Sequence, residues 1–357
     1  MSQRRRSIAI AGAIILCSAG VLAQKKDDKK QDEAQKKEVL NLVKLADDAS
    51  AGQAAPPNDL SLTWVREDVL KAQGNKQYIP FIVTIDPAKV AGGNLAFYWR
   101  VVSKNAAPTT TAPVGTNGKK DDTQDKDKKA KPEYAYEDVA FIPVTTGQAG
   151  PMRIARSFTV PSGSYDVIIV AKEPAPTQKN APAAKTSILK QTMSVPDFWN
   201  GELNTSTVIV AQRIDPLPAP LTPQQQADRP YALGQMEIVP QTEMTFSKKQ
   251  ELSTFMLIYN PKIDGANKPD VVVEYTFYTK VPGDEKGKYF NKTNPQSLNA
   301  QTLPAQFDVA AGHQLQSGQA VPLGSFPEGE YRLEIKVTDK LANKTLTRDV
   351  NFTVTAS

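Results

Sequence analysis

Along Tyr331–Thr338 the chain alternates with a period of two. Tyr331, Leu333, Ile335 and Val337 share one side, and Arg332, Glu334, Lys336 and Thr338 share the other. This is the pattern of a half-buried strand. Pro327 and Gly329 ahead of it predict a turn. A weaker copy lies upstream: Pro161 and Gly163 form the turn, and Tyr165 opens a strand through Ala171. A tyrosine opening a late strand just after a glycine turn matches the tyrosine corner of immunoglobulin-like sandwiches, so Tyr165 and Tyr331 are read as structural corner residues. In the upstream copy Ile168 and Val170 stand on the outward side, where the downstream copy has Glu334 and Lys336. Something must cover that face, either the segment after Val195 or an apolar stretch at Val39–Leu45.

The same reading extended along the chain predicts strands and almost nothing else. In the first half they are Ser61–Glu67, Gln77–Ile85, Leu95–Val102, Ala140–Val144, Ile154–Val160, Ser164–Ala171 and Ser187–Val195. In the second they are Gly234–Pro240, Glu251–Tyr259, Asp270–Thr279, Ala305–Val309, Gln319–Leu323, Glu330–Val337 and Lys344–Val354, with Thr207–Ala211 strand-like between the halves. The halves repeat. Pro80–Pro87 aligns with Thr254–Pro261, and the aromatic strands Phe97–Trp99 and Tyr275–Tyr278 follow at similar distances. The fold class expected is all-β: two tandem immunoglobulin-like antiparallel β-sandwiches, the product of an internal duplication, with a short N-terminal helix near Glu33–Ala46.

The expected organisation is a signal peptide at 1–23, a charged tail, short helix and linker at 24–58, and a sandwich at 59–196. An inter-domain joint at 197–229 and a second sandwich at 230–357 complete it. The signal reading rests on Arg4, Arg5 and Arg6 before the apolar run Ile8–Leu22, with a small-residue cleavage site at Val21–Ala23. That run is short for a membrane span, so no span is expected in the mature chain. Cys17 is the single cysteine and falls inside the run; Leu16 before it stands where a lipoprotein signal has a small residue. A mature chain without cysteine has neither a disulfide nor thiol chemistry. The segment from about 104 to 134 interleaves lysines and aspartates without apolar residues and reads as a disordered insert rather than a calcium site.

The net charge of +5 includes the three signal arginines, and residues 1–23 hold no acid, which leaves +2 for the mature chain. That gives no electrostatic case for nucleic acid. His313 is the single histidine, so a His-based triad or multi-His metal site cannot form within one chain. No glycine-rich phosphate loop precedes a helix. Asp264–Asp270 offers oxygen ligands at alternating positions and also has the composition of a polar turn. No catalytic residue, cofactor or metal ligand is assigned, and the chain is read as not an enzyme.

Phe198 and Trp199 are the candidate binding residues: bulky, adjacent, and outside any predicted strand. They read either as a partner-binding anchor or as a wedge packed between the sandwiches. The function expected is protein or surface binding, or envelope scaffolding, in a periplasmic or extracellular location. The partner would be an envelope or extracellular protein, or a glycan. One alternative is a carbohydrate-binding module with Trp64, Trp99 and tyrosines as a stacking platform. Another is a hydrolase built on two converging carboxylates.

From the joint onward the chain resembles the C-terminal immunoglobulin-like region of uncharacterised secreted bacterial proteins of acidobacterial type, including GWxTD-domain proteins. The residues that carry this are Val195–Phe198, Leu203 with Ser206–Ala211, Pro230–Gly234, Leu257–Asn260 and the closing Pro327-x-Gly329-x-Tyr331 strand. The match spans roughly the last 160 residues. The Gly-Trp-x-Thr-Asp motif itself is absent. The resemblance implies an envelope module with no known reaction and carries over no site residues.

Overall fold

The structure is a computed structural model and describes residues 18–52, 55–91, 93–104, 134–145, 150–174, 182–281 and 283–356. Arg4, Arg5 and Arg6 of the expected signal, Cys17 and nearly all of the insert expected at 104–134 lie outside the described residues.

Helix α1 (Ser18–Ser50) opens the described chain. Eight strands follow: β1 (Thr63–Glu67), β2 (Leu70–Lys71), β3 (Gln77–Ile85), β4 (Asn94–Ser103), β5 (Tyr136–Pro143), β6 (Met152–Val160), β7 (Gly163–Lys172) and β8 (Thr186–Val195). Next come β9 (Asn204–Thr205), β10 (Ile209–Pro216), a short helix α2 (Pro223–Asp228), β11 (Ala232–Leu233), β12 (Met236–Pro240), β13 (Thr245–Ser247) and β14 (Glu251–Tyr259). The chain closes with β15 (Val271–Val281), β16 (Asp284–Lys292), β17 (Gln296–Leu298), β18 (Leu315–Ser317), β19 (Ala320–Pro322), β20 (Gly329–Asp339) and β21 (Lys344–Thr355).

The protein is all-β, two immunoglobulin-like sandwiches in tandem. One sheet runs β5-β4-β7-β8, and its counterpart in the second half runs β16-β15-β20-β21. The sheets facing them repeat as well: β3 lies between β1 and β6, and β14 lies between β10 and the short strands β18 and β19. Among the described residues every ladder is antiparallel except β13 with β21, which is parallel.

Three expectations need correcting. The N-terminal helix is not short; α1 spans 33 residues. Ala305–Val309 is a turn, not a strand, because Lys268 donates its ammonium to the carbonyls of Ala305 and Phe307 and Asp308 is tied to His313. The 197–229 segment holds β10, which pairs with β14 and β12 and so belongs to the second sandwich.

The layers stack in the order α1, β4 sheet, β3 sheet, β14 sheet, β20 sheet. The first sandwich is filled by Phe81, Phe97, Trp99, Phe158, Val167 and Ile169. The second is filled by Tyr275, Phe277, Phe326, Leu333, Ile335 and Phe352. Strands β3 and β14 are buried on both faces, and their runs Ile79–Val83 and Phe255–Tyr259 are accordingly apolar without alternation. Pro80 sits in β3 without harm because its side of the strand lies between β1 and β2, where the Asp68 N–H donates to the Pro80 carbonyl at 2.9 Å.

Helix α1 covers the outward face of the β4 sheet. Leu42 and Ala46 are fully buried against Ala96, Tyr98, Ile168, Val170 and Ile188. Their spacing, with Val43 and Ala49 beside them, is that of one helical stripe. Two ion pairs flank the stripe. Lys172 Nζ reaches Glu38 at 2.6 Å, and the buried Arg100 reaches Asp47 at 2.5 Å. Arg100 also donates to Tyr98 at 2.7 Å. Burial opposes the Arg100 charge, but Asp47 and its neighbours outweigh it and the guanidinium is held more firmly protonated than usual.

Candidate binding site at the seam of the two sandwiches

The β3 and β14 sheets meet face to face, and the segment after Val195 crosses between them. Phe198 is 2% exposed and packs on Tyr259 with ring centroids 4.9 Å apart. Asn260 holds the crossing chain from below: its side-chain amide donates to the carbonyls of Phe198 at 3.0 Å and Glu202 at 2.9 Å. Its own backbone is left-handed (φ 53°), a conformation asparagine tolerates better than most residues. The Tyr259 hydroxyl in turn accepts the backbone N–H of Lys71 from the first sandwich at 3.0 Å.

Ser206 and Thr207 then stitch the two sides together. Ser206 exchanges bonds with the backbone of Leu257, its N–H donating at 2.9 Å and its Oγ accepting at 3.0 Å. Thr207 accepts the Val69 N–H at 3.0 Å and donates its hydroxyl to Asp68 at 2.9 Å. Asp68 is fully buried. It also accepts a two-pronged bond from Arg66 (2.6 and 2.7 Å) and the hydroxyl of Tyr231 at 2.9 Å. Arg66 extends the knot to the Val208 carbonyl at 3.1 Å. Burial works against the Arg66 charge, yet the Asp68 bonds outweigh it and the net effect is upward. Burial, reinforced by the Asp68 carboxylate, pushes the Tyr231 phenol well above its ordinary value. Burial alone drives Tyr78 up to about 12; its hydroxyl donates to the Pro230 carbonyl at 2.8 Å.

Trp199 parts company with Phe198. It is 41% exposed, with its backbone N–H on Asp197 at 2.8 Å and its indole N–H on the Lys76 carbonyl at 3.2 Å. The Lys71 ammonium lies 4.2 Å from the indole centroid. The sequence pair therefore splits: Phe198 is the wedge, and Trp199 is a fixed aromatic at the rim.

The Tyr165 hydroxyl donates to the Pro161 carbonyl at 3.0 Å, and that of Tyr331 to the Pro327 carbonyl at 2.7 Å. The turn glycines Gly163 (φ 153°) and Gly329 (φ 149°) occupy backbone that a side chain disfavours. Trp64 stacks on Phe81 at 5.1 Å, and Trp99 is 3% exposed and donates to the Ser157 carbonyl. These two tryptophans build the first core, so the stacking platform expected of them does not form. In the Asp264–Asp270 loop, Asp264 Oδ1 accepts the N–H groups of Ala266 and Lys268, each at 2.9 Å. His313 accepts the Asp308 N–H on Nδ1 at 3.0 Å.

Sequence reasoning missed the Arg66–Asp68–Thr207–Tyr231 knot. The available signal was the unbroken apolar run in β3 and β14, which says that both faces are covered. Phe198, Ser206, Thr207, Tyr231, Tyr259 and Asn260 converge on this seam.

No protein-family model matches the chain, and no curated protein matches it. Similarity among solved structures reaches Escherichia coli alpha-2-macroglobulin. For the form activated by porcine elastase, identity is 11% and the TM-score 0.22, over 80% of this chain and 22% of that one. For the trypsin-activated form they are 10% and 0.21, over 85% and 17%. For the native conformation from cryo-EM they are 10% and 0.20, over 85% and 16%. The chain spans about a fifth of the length of those chains. Overlaps this slight say nothing of function. No helix among the described residues is long and apolar enough to cross a membrane.

Proposed function

We propose that the chain is a secreted, non-catalytic immunoglobulin-like protein that serves binding and scaffolding in a bacterial envelope, its two sandwiches held as one rigid unit. The seam carries this reading. Domains joined by a loose linker move independently, whereas a large apolar interface fixes their relative orientation. Here β3 and β14 are each buried on both faces, and a fully bonded polar knot sits beside them.

The placement of the acids supports a structural rather than a catalytic use. Glu173 accepts the N–H groups of Ala91 and Lys185, and Asp339 those of Lys262, Leu341 and Ala342. Among the described carboxyls whose proton affinity moves, the direction is down. At Asp166 burial is outweighed by Lys190 and Thr192; Arg229 lowers Glu237; backbone N–H groups lower Asp308. A general acid needs the opposite shift.

The test is cross-linking of the tagged protein in its native host followed by mass spectrometry. One or two stoichiometric envelope proteins are expected, with cross-links on the sandwich ends or sheet edges. Recovery of the tagged chain without any envelope component would overturn the reading.

A further inference from the structure

Beside the seam opens a cleft of about 480 Å³ between the first sandwich and the loop after Val309. Lys71, Gln73, Trp199, Asn260, His313 and Gln314 line it. It lies in the size range of small-ligand sites. Trp199 is already immobilised by its bonds to Asp197 and Lys76, so presenting its exposed surface to a ligand loses little conformational freedom. The Lys71 ammonium donates to Asn260 Oδ1 at 2.9 Å. Among the described residues it has no carboxylate within ion-pair distance. In its half-buried position the ammonium is compensated by that bond, by the Trp199 ring and by the charge of Asp197 beyond ion-pair distance, and an anionic group from a ligand would add the direct ion pair it lacks. His313 accepts on Nδ1, so the neutral ring carries its hydrogen on Nε2 and offers a donor. Gln73 and Gln314 are exposed and offer amide donors and acceptors together.

An apolar ring surface, one cation and a rim of amides match a pyranose: its C–H face is apolar, its edge is hydroxylated, and a uronic acid adds one carboxylate. We propose that this cleft binds an acidic saccharide, with the sugar ring against Trp199 and its carboxylate on Lys71. The inference stands on the geometry of the cleft and does not depend on the scaffolding role proposed above.

Isothermal titration of the full chain tests it, with trigalacturonate and a hyaluronan tetrasaccharide as acidic probes. A neutral galactotriose and a hexapeptide with a free C-terminal carboxylate are the comparisons. At least one acidic probe should bind at least about tenfold more tightly than either comparison. Lys71→Met should weaken that binding about tenfold and remove the preference for the acidic probe over the neutral sugar. Trp199→Ala should weaken both. Binding of neither acidic probe, equal binding of the neutral sugar, or preference for the peptide would overturn the proposal. The comparison among probes on the unaltered chain decides the matter even if a variant fails to fold. Because it is made on the purified chain, it can fail while the cross-linking result stands.

Discussion

Strands β7 and β20 occupy the same place in their sandwiches and begin with the same tyrosine corner, yet their outward faces differ. In β20 the outward face carries Arg332, Glu334 and Lys336: Arg332 pairs with Glu334 and Asp349, and Lys336 with Glu274. In β7 the positions equivalent to Glu334 and Lys336 are Ile168 and Val170, 1% and 0% exposed under α1. The inward faces, Val167 and Ile169 against Leu333 and Ile335, remain alike. In two repeats of one strand arrangement the core face is bound by its packing, while the outer face is free to differ with what lies on it.

The largest expected effect comes from removing the cover. A chain lacking residues up to 50 exposes Tyr98, Ile168, Val170 and Ile188 and takes Asp47 from Arg100 and Glu38 from Lys172. It should lose about 5 kcal/mol or more and aggregate, as read by urea denaturation and sedimentation. Ile168→Glu with Val170→Lys, which copies β20 onto β7, should restore solubility to the truncated chain and destabilise the full one. If the double variant has the same effect in both backgrounds, α1 is not what makes the two faces differ.

Next is Asp68→Ala. It leaves Arg66 buried without its carboxylate and should cost about 3–5 kcal/mol, separating the unfolding of the two halves in calorimetry. Alkaline titration follows. Below pH 10 the seam tyrosines are protonated in both folded and unfolded chains and stability is undiminished. Above it the unfolded chain ionises, while Tyr78 keeps its proton to about 12 and burial also raises Tyr231 and Tyr259. Stability should therefore fall between pH 10 and 12, with phenolate absorbance rising as the far-ultraviolet dichroism is lost. The smallest effect is at the corners. Tyr165→Phe and Tyr331→Phe should each cost about 1 kcal/mol in denaturant titrations, the same in both halves.

Much of this was legible before any coordinates. The alternation in β20, the paired Pro-x-Gly turns and the repeat of β3, β4 and β7 in β14, β15 and β20 followed from residue patterns alone. So did the need for something to cover Ile168 and Val170. Strand β16 was not legible: Asp284, Glu285, Lys286 and Lys288 give no apolar alternation, because an edge strand takes its stability from the ladder to β15. Nor was Asp68, whose burial depends on Thr207 and Tyr231, about 140 and 163 residues away. In the Phe198–Trp199 pair, adjacency hid the division of labour, since consecutive residues point to different surroundings.

The central claim is that the seam makes one rigid body of two sandwiches. Spin labels at Lys190→Cys and Lys336→Cys, on the outward sheets of the two halves, report it directly through their distance distribution in a chain without Cys17. A single narrow peak that broadens in the Asp68→Ala background is the predicted result. A broad or bimodal distribution in the otherwise unaltered chain would contradict the account.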